Sequence, residues 1–142
     1  MKIRLVMHGK TRRAEVRALL DDYLSRARRY AEVEASEVPN SPAALRKLKA
    51  EPASLWVLLD AGGKQFSSAQ FARWLAQQRE CGVRELVFLC GDAEGFPEEL
   101  RRRADAKLSL STMTLPHELA CVVLAEQLYR AFAILAGHPY PK

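Results

Sequence analysis

A hydroxyl-rich segment at 110–117, with the sequence Leu-Ser-Thr-Met-Thr-Leu-Pro-His, leads into an apolar helical pattern. Pro116 favours a helix start here, because its fixed φ suits the first turn and its missing N–H is not needed there. Hydroxyls and backbone amides near a helix N-terminus can hydrogen-bond an adenine or a carboxylate. The segment therefore predicts a ligand loop, unless Thr114 serves only to cap the helix.

A second candidate ligand loop follows the apolar run 86–90. It begins at Gly91, and a glycine lets the backbone approach a ligand closely because it has no side chain. The segment 91–96, Gly-Asp-Ala-Glu-Gly-Phe, lacks both the Gly-Lys-Ser/Thr of a Walker A loop and the spacing Gly-x-Gly-x-x-Gly. It predicts either a ligand loop or a plain turn from strand to helix. The segment 60–64, Asp-Ala-Gly-Gly-Lys, reads as a turn that ends the strand before it.

The three cysteines, Cys81, Cys90 and Cys121, are odd in number and far apart in the sequence. They form no Cys-x-x-Cys pair, so neither a disulfide framework nor a zinc site is indicated. We interpret all three as small buried residues in a reducing compartment. No metal site is predicted.

Short apolar runs alternate with helical patterns along the chain, which is typical of an α/β fold with a mostly parallel sheet and helices on both faces. Ligands of such sheets bind beyond the carboxyl ends of the strands. Three predicted strands end at Leu59, Cys90 and Leu110, each before small or polar residues. The predicted strands are 3–7, 33–38, 55–59, 86–90 and 106–110, and the predicted helices are 12–30, 43–50, 67–79, 97–104 and 116–136.

Serines are predicted to start two of these helices. Ser41 can cap the helix 43–50, with Pro42 at its first position. Ser67 and Gln70 have the spacing of a capping box, in which the side chain of each residue bonds the backbone N–H of the other.

The final helix is apolar on all sides over 119–125, Leu-Ala-Cys-Val-Val-Leu-Ala. A helix of this kind is buried on several sides. In a short chain one face can meet the sheet while another meets a second subunit, so we predict a homodimer through this helix. Glu126 and Arg130 are spaced to form an ion pair within the helix.

Length and composition favour one globular domain, residues 1–142, in which 49% of residues are hydrophobic and the formal charge is +5. No apolar run approaches the roughly 18 residues that a membrane helix needs. The N-terminus lacks the apolar core of a signal peptide, so a cytoplasmic location is predicted. Arginine clusters at 12–13, 26–29 and 101–103 are consistent with a polyanionic partner such as RNA, or simply with solvated helix faces.

Three strings together resemble the ribosomal RNA large-subunit methyltransferase H family, the pseudouridine N3-methyltransferases of the SPOUT superfamily. They are Thr-Leu-Pro-His at 114–117, Glu-Gln-Leu-Tyr-Arg-Ala at 126–131 and His-Pro-Tyr at 138–140. The resemblance extends over essentially the whole chain. It implies S-adenosylmethionine as cofactor, a deep trefoil knot in the C-terminal part and an active homodimer. The implied reaction is methyl transfer to N3 of a pseudouridine in 23S rRNA of the assembled ribosome.

The resemblance also implies roles for individual residues. His138 and Tyr140 are the implied candidates for positioning or deprotonating the base, with His117 a weaker one. The implied cofactor contacts are Leu59, Gly91, Leu110, Ser111, Thr112, Met113, Thr114 and Leu115.

Three positions depart from the family pattern. Asp92 stands where a second glycine is usual, Cys121 where an arginine is usual, and Pro141 where the tail normally continues with Tyr-His. Two alternatives to an active methyltransferase therefore stay open. One is a SPOUT-fold protein that binds cofactor or ribosome without methyl transfer, and the other is an unrelated nucleotide-binding α/β domain.

Overall fold

A five-stranded parallel sheet forms the centre of the molecule, with strand order β2-β1-β4-β3-β5. A computed structural model describes residues 1–9, 13–39, 41, 43–44, 47–48, 51–91 and 96–140. All four strand pairings are parallel, so the predicted sheet is confirmed. The strands are β1 (Lys2–His8), β2 (Glu32–Val38), β3 (Ser54–Gln65), β4 (Glu85–Cys90) and β5 (Ala106–Ser109).

Four helices connect the strands or follow them: α1 (Ala14–Ala27), α2 (Ser68–Glu80), α3 (Glu98–Arg103) and α4 (His117–Leu135). Of the predicted helix 43–50, positions 43 and 44 are helical, whereas 45, 46, 49 and 50 lie outside the described residues, as does Pro42. The predicted cap of that helix is present, because the Ala44 N–H donates to Ser41 Oγ at 3.1 Å.

Both faces of the sheet are covered, as predicted. Alternate residues of a strand point to opposite faces, so each strand contributes to two layers. The helices α1, α2 and α4 pack on one face, and the short helix α3 packs on the other. The first layer buries Ile3, Leu5, Leu86, Phe88, Leu75, Leu124 and Leu128, and the second buries Val6, Trp56, Leu58, Val87, Leu89 and Leu100. The trefoil knot implied by the family resemblance stays a prediction.

The start of α2 has the predicted capping box. The Gln70 N–H donates to Ser67 Oγ at 3.1 Å, and the Ser67 N–H donates to Gln70 Oε1 at 2.8 Å. This pair satisfies two backbone donors that the first helical turn leaves without partners.

Replacing Ser67 with alanine should lower the free energy of unfolding by about 1 kcal/mol, because one backbone N–H of α2 loses its acceptor. Urea denaturation measures the change. As a matched control, Ser67→Asp keeps a side-chain oxygen that can accept the same hydrogen bond from the Gln70 N–H. A loss of the same size for Ser67→Asp would contradict the capping role of Ser67.

The segment 60–64 is not the end of a strand, and the prediction of a terminating turn is wrong. β3 continues to Gln65, and its ladder to β5 jumps from the pair Leu59–Leu108 to the pair Lys64–Leu108. Residues 60–63 therefore form a bulge inside the strand. Gly63 is required there by close packing, because a Cβ would lie 2.7 Å from the carbonyl carbon of Lys107. The bulge matters for the site because it places residues 60 and 61 at the sheet's carboxyl edge.

Candidate functional site

The bulge of β3 and the carboxyl ends of β4 and β5 meet the N-terminus of α4 around a cavity of about 310 Å³. This volume lies in the range of small-molecule sites. The sequence prediction that these three strand ends face one ligand is therefore supported by the fold. The described lining consists of Leu59, Asp60, Ala61, Cys90, Gly91, Arg101, Leu108, Leu110, Ser111, Met113, Thr114, Leu115, His117 and Ala120.

All but one of the residues predicted to contact a cofactor line this cavity. The exception is Thr112, whose side chain is exposed and lies outside the lining. Sequence reasoning did not assign Arg101 to the site, because its place in an arginine run indicated only a basic helix face. The lining includes the predicted residues Leu59, Gly91, Leu110, Ser111, Met113, Thr114 and Leu115.

Hydroxyl groups hold the loop between β5 and α4 in shape. Ser109 Oγ donates to the Ser111 carbonyl at 3.0 Å, and Ser111 Oγ accepts from the Met113 N–H at 3.0 Å. The helix begins after Pro116, and no described side chain caps it. The interpretation of Thr114 as the helix cap is therefore wrong, and this residue lines the cavity instead.

Gly91 combines a packing role with its place in the cavity wall. A Cβ at this position would lie 2.8 Å from Cε2 of Phe96, so the ring of Phe96 occupies the space of a side chain. Phe96 in turn stacks on the ring of His8 at 5.2 Å between centroids. Asp92, one of the departures from the family pattern, lies outside the described residues.

Two cysteines form a buried pair at the cavity, whose lining includes Cys90. Cys90 and Cys121 are both 1% exposed. A hydrogen bond with Cys121, together with burial, raises the pKa of the Cys90 thiol well above its ordinary value. Cys90 therefore stays a neutral thiol, which is a poor nucleophile. Cys81 is exposed at the end of α2, so the prediction that all three cysteines are buried is wrong for this residue.

An ion pair joins two elements at the cavity. Arg101 of α3 places Nη2 3.3 Å from Oδ2 of Asp60 in the β3 bulge. Asp60 Oδ1 also accepts from the Gly62 N–H at 3.3 Å, which fixes the carboxylate within the bulge. Among the described residues, no group of three histidine, cysteine or acidic side chains is arranged to hold a metal ion.

The other arginines of α3 are engaged within the chain. Arg102 pairs with Glu98 at 3.4 Å, and Arg103 Nη1 donates to the Leu48 carbonyl at 3.0 Å. The Arg103 guanidinium also lies 4.1 Å from the ring centroid of Trp56. The Arg102 side chain is 79% exposed, against 35% for that of Arg101.

The C-terminal tail lies at the opposite end of α4 from the cavity. The Tyr140 ring lies perpendicular to that of Tyr129, with centroids 4.7 Å apart, and under the Arg130 guanidinium at 4.5 Å. Partial burial raises the pKa of Tyr140 above its ordinary value. His138 is exposed, and its backbone N–H donates to the Ala133 carbonyl at 2.9 Å. Neither of these two predicted catalytic residues lines the cavity of its own chain.

The distance follows from the length of α4. Its 19 residues span about 28 Å, because an α-helix rises 1.5 Å per residue. His117 at the first position lines the cavity, and the tail begins beyond the last turn. Tyr140 packs back on Tyr129, so about 18 Å of α4 separates this residue from His117 at the cavity.

One strip of α4 is apolar and open to solvent within the single chain. Leu119 and Val123, one turn apart, are 42% and 38% exposed, whereas Cys121, Leu124 and Ala125 are buried in the core. The contact of this strip with a second subunit stays a prediction. No helix of the described part of the chain combines the length and apolarity needed to cross a membrane.

Residues 1–141 match the family described as predicted SPOUT methyltransferase. The ribosomal RNA large subunit methyltransferase H of Koribacter versatilis is 46% identical over 143 residues, covering 99% of this chain and 97% of that protein. The protein of the same name from Geobacter sulfurreducens is 41% identical, covering 99% of each chain.

Solved structures of low sequence identity share the fold. A probable methyltransferase from Bordetella pertussis superimposes with a TM-score of 0.60 at 10% identity, covering 92% of this chain and 94% of that one. The SpoU methyltransferase AviRb from Streptomyces viridochromogenes, solved with AdoMet, superimposes with a TM-score of 0.54 at 14% identity. The match covers 97% of this chain and 59% of that one. With the family match and the near full-length relatives, the chain belongs to the SPOUT methyltransferases, and within them to the ribosomal RNA large subunit methyltransferase H family.

Proposed function

We propose that this protein transfers a methyl group from S-adenosylmethionine to N3 of a pseudouridine in 23S rRNA of the assembled ribosome. The observation that carries the proposal is the cavity between the bulge of β3 and the carboxyl ends of β4 and β5, which gathers nearly all of the predicted cofactor contacts. The relatives that match the chain from end to end are named for activity on large-subunit rRNA. For this activity we propose a cytoplasmic location and a single domain of residues 1–142.

The chemistry of the cavity fits the proposed cofactor. Leu59, Leu110 and Leu115 provide apolar walls for an adenine ring, and Ser111 and Thr114 provide hydroxyls for polar groups. Gly91 leaves the wall beside β4 free of a side chain. S-adenosylmethionine supplies an electrophilic methyl group when it is bound there.

The protein's own contribution is alignment of the base and removal of its N3 proton. Alignment of two bound reactants can supply about 7–11 kcal/mol of a barrier. His138 offers an imidazole that can accept the proton, and general base catalysis contributes about 10²- to 10⁴-fold. Tyr140 has a raised pKa, so its phenol stays protonated at neutral pH and can position the base by donating a hydrogen bond.

The separation of tail and cavity favours a homodimer in which the tail acts on the partner's cavity. Within one chain Tyr129, against which Tyr140 packs, lies about 18 Å along α4 from His117 at the cavity. The apolar strip of Leu119 and Val123, on the first half of the same helix, supplies a surface for a second copy. Two copies related by a twofold axis, with their α4 helices antiparallel, bring each tail towards the other cavity.

Replacing Val123 with glutamate should convert the dimer to a monomer at micromolar concentration, because a charge then has to be buried in an apolar interface. Sedimentation velocity measures the molecular mass. Gln77→Glu introduces the same charge on the exposed face of α2 and should leave the dimer intact. A wild-type chain that sediments as a monomer would contradict the proposed dimer.

Incubation with methyl-labelled S-adenosylmethionine and ribosomes that lack the modification tests the proposed function. Label recovered in 23S rRNA at the N3 position of a pseudouridine supports it. Calorimetric binding of the cofactor without any transfer supports the alternative, a SPOUT-fold protein that has lost catalysis. Absence of both binding and transfer would overturn the two together.

A further inference from the structure

Two opposite charges face the cavity from different elements. Asp60 lies in the bulge of β3 and Arg101 lies on α3, with 3.3 Å between Oδ2 and Nη2. They are the acidic and the basic side chain of the described lining, whose other polar side chains are Ser111, Thr114 and His117. The net charge of the pair is zero, and the cavity wall presents one positive and one negative group side by side.

The ion pair has little structural value on its own. The side chains of Arg101 and Asp60 are 35% and 26% exposed, and ion pairs this open to water contribute little to stability. The contact is a single one, and among the described residues it engages one nitrogen of a guanidinium that carries five N–H donors. Arg101 therefore retains donors for a ligand while Asp60 holds it at the cavity wall.

The charge pattern selects one class of ligand group. A lone anion bound by Arg101 would be repelled by the carboxylate of Asp60, and a lone cation bound by Asp60 would be repelled by Arg101. A group with both charges close together satisfies both side chains. An α-amino-acid group is such a zwitterion, because its carboxylate and its ammonium are attached to the same carbon.

We infer that Asp60 and Arg101 bind the amino-acid end of the cofactor, with Arg101 holding the carboxylate and Asp60 the ammonium. The inference rests on the proposed function, since it requires an S-adenosyl cofactor in this cavity. Guanidinium and carboxylate groups form two parallel hydrogen bonds in their best geometry, which accounts for an arginine at this position. In the free protein the ion pair keeps the two side chains close to the positions in which they meet the ligand.

Two commercial nucleosides separate this contact from the rest of the site. S-adenosylhomocysteine carries the zwitterion but no sulfonium charge, whereas 5′-methylthioadenosine has the same nucleoside and no amino-acid group. Calorimetry on the wild-type protein, on Arg101→Met and on Asp60→Asn gives the affinity for each. We expect both substitutions to weaken binding of S-adenosylhomocysteine by about 10- to 100-fold, since each removes a hydrogen bond to a charged group. Binding of 5′-methylthioadenosine should change less than about threefold.

The variants are chosen to preserve the cavity. In the Asp60→Asn variant the side-chain amide oxygen would still accept from the Gly62 N–H, as the carboxylate does. Circular dichroism with a thermal unfolding curve checks that each variant folds. Arg102→Met is the matched control, because it removes the neighbouring guanidinium of α3, which is 79% exposed and pairs with Glu98. It should leave both affinities unchanged.

Three results would overturn the inference. Equal losses for the two ligands would show that the ion pair shapes the cavity without touching the amino-acid group. No loss for either ligand would show that the pair makes no contact at all. S-adenosylmethionine, titrated as a third ligand, gives the last of these results: a loss confined to it, with S-adenosylhomocysteine unaffected, would assign Asp60 to the sulfonium.

The proposed function fails in a distinguishable way. If the wild-type protein binds S-adenosylhomocysteine but transfers no methyl group to ribosomes, catalysis is refuted and the calorimetric comparison still decides the role of the ion pair. If the wild-type protein binds neither nucleoside, the cofactor site and this inference are refuted together.

Discussion

A double variant, His138→Ala with Tyr140→Phe, should lose methyl transfer by about 10²- to 10⁴-fold while its affinity for S-adenosylhomocysteine stays unchanged. The physical reason is that the proposed proton acceptor and phenol donor both lie in the tail, outside the cavity of their own chain. Single-turnover rates on unmodified ribosomes measure the first effect and calorimetry the second. A fall in cofactor affinity of the same size would contradict this division of roles.

The same double variant tests whether the tail of one chain acts on the cavity of the other chain in the dimer. Ala61→Trp fills the mouth of the cavity with an indole at an exposed position, so this second variant should fold but bind no cofactor. Each variant alone is expected to be inactive. Mixed dimers combine the intact cavity of one chain with the intact tail of the other, and should regain activity. If mixtures stay inactive although dimers of both chains form, the tail serves the cavity of its own chain.

Replacing Gly63 with alanine should lower the free energy of unfolding by about 1–3 kcal/mol, because its Cβ would overlap backbone atoms that cannot move independently. The Cβ would lie 2.7 Å from the Lys107 carbonyl carbon and 2.9 Å from the Leu108 nitrogen. Leu108 lines the cavity, so the affinity for S-adenosylhomocysteine should fall as well. Urea denaturation and calorimetry measure the two effects.

The neighbouring glycine provides a matched control for this prediction. A Cβ at Gly62 meets nothing closer than Asp60 Oδ1 at 4.0 Å. Gly62→Ala should therefore be neutral or stabilise the protein slightly, through the reduced freedom of the unfolded chain. Equal destabilisation by the two substitutions would show that the bulge needs flexibility at both positions, and not a close approach at Gly63.

Sequence periodicity predicted most of the fold because its signals are local. The apolar runs 55–59 and 86–90 lie within β3 and β4, and the capping box at Ser67 and Gln70 starts α2. Hydrogen bonds between near neighbours and alternation of side chains produce these features. Both depend only on residues that are close together in the sequence. The bulge at 60–63 was missed because its cause is the backbone of β5, more than 40 positions away in the chain.

The location of the cavity was also determined by the sequence, because parallel strands bring their carboxyl ends to one edge and this sequence places loops there. The tertiary structure alone determines which residues from other segments of the chain reach the cavity. Arg101 looks like any other residue of an arginine run, and only the packing of α3 against the sheet turns it towards Asp60. The same holds for Thr114, which the sequence allowed as a helix cap and the fold places in the cavity wall.

The C-terminal tail shows which information comes from the sequence and which comes from the tertiary structure. The string His-Pro-Tyr at 138–140 supplies an imidazole and a phenol. It does not say how far these two groups lie from the cavity. The packing of the tail along the second half of α4 decides that distance, and with it the proposal that the tail acts on a second copy. What the sequence determined by itself is therefore the set of elements and chemical groups, since these depend on local patterns. Which groups meet, and across which subunits, was decided by packing between segments far apart in the chain.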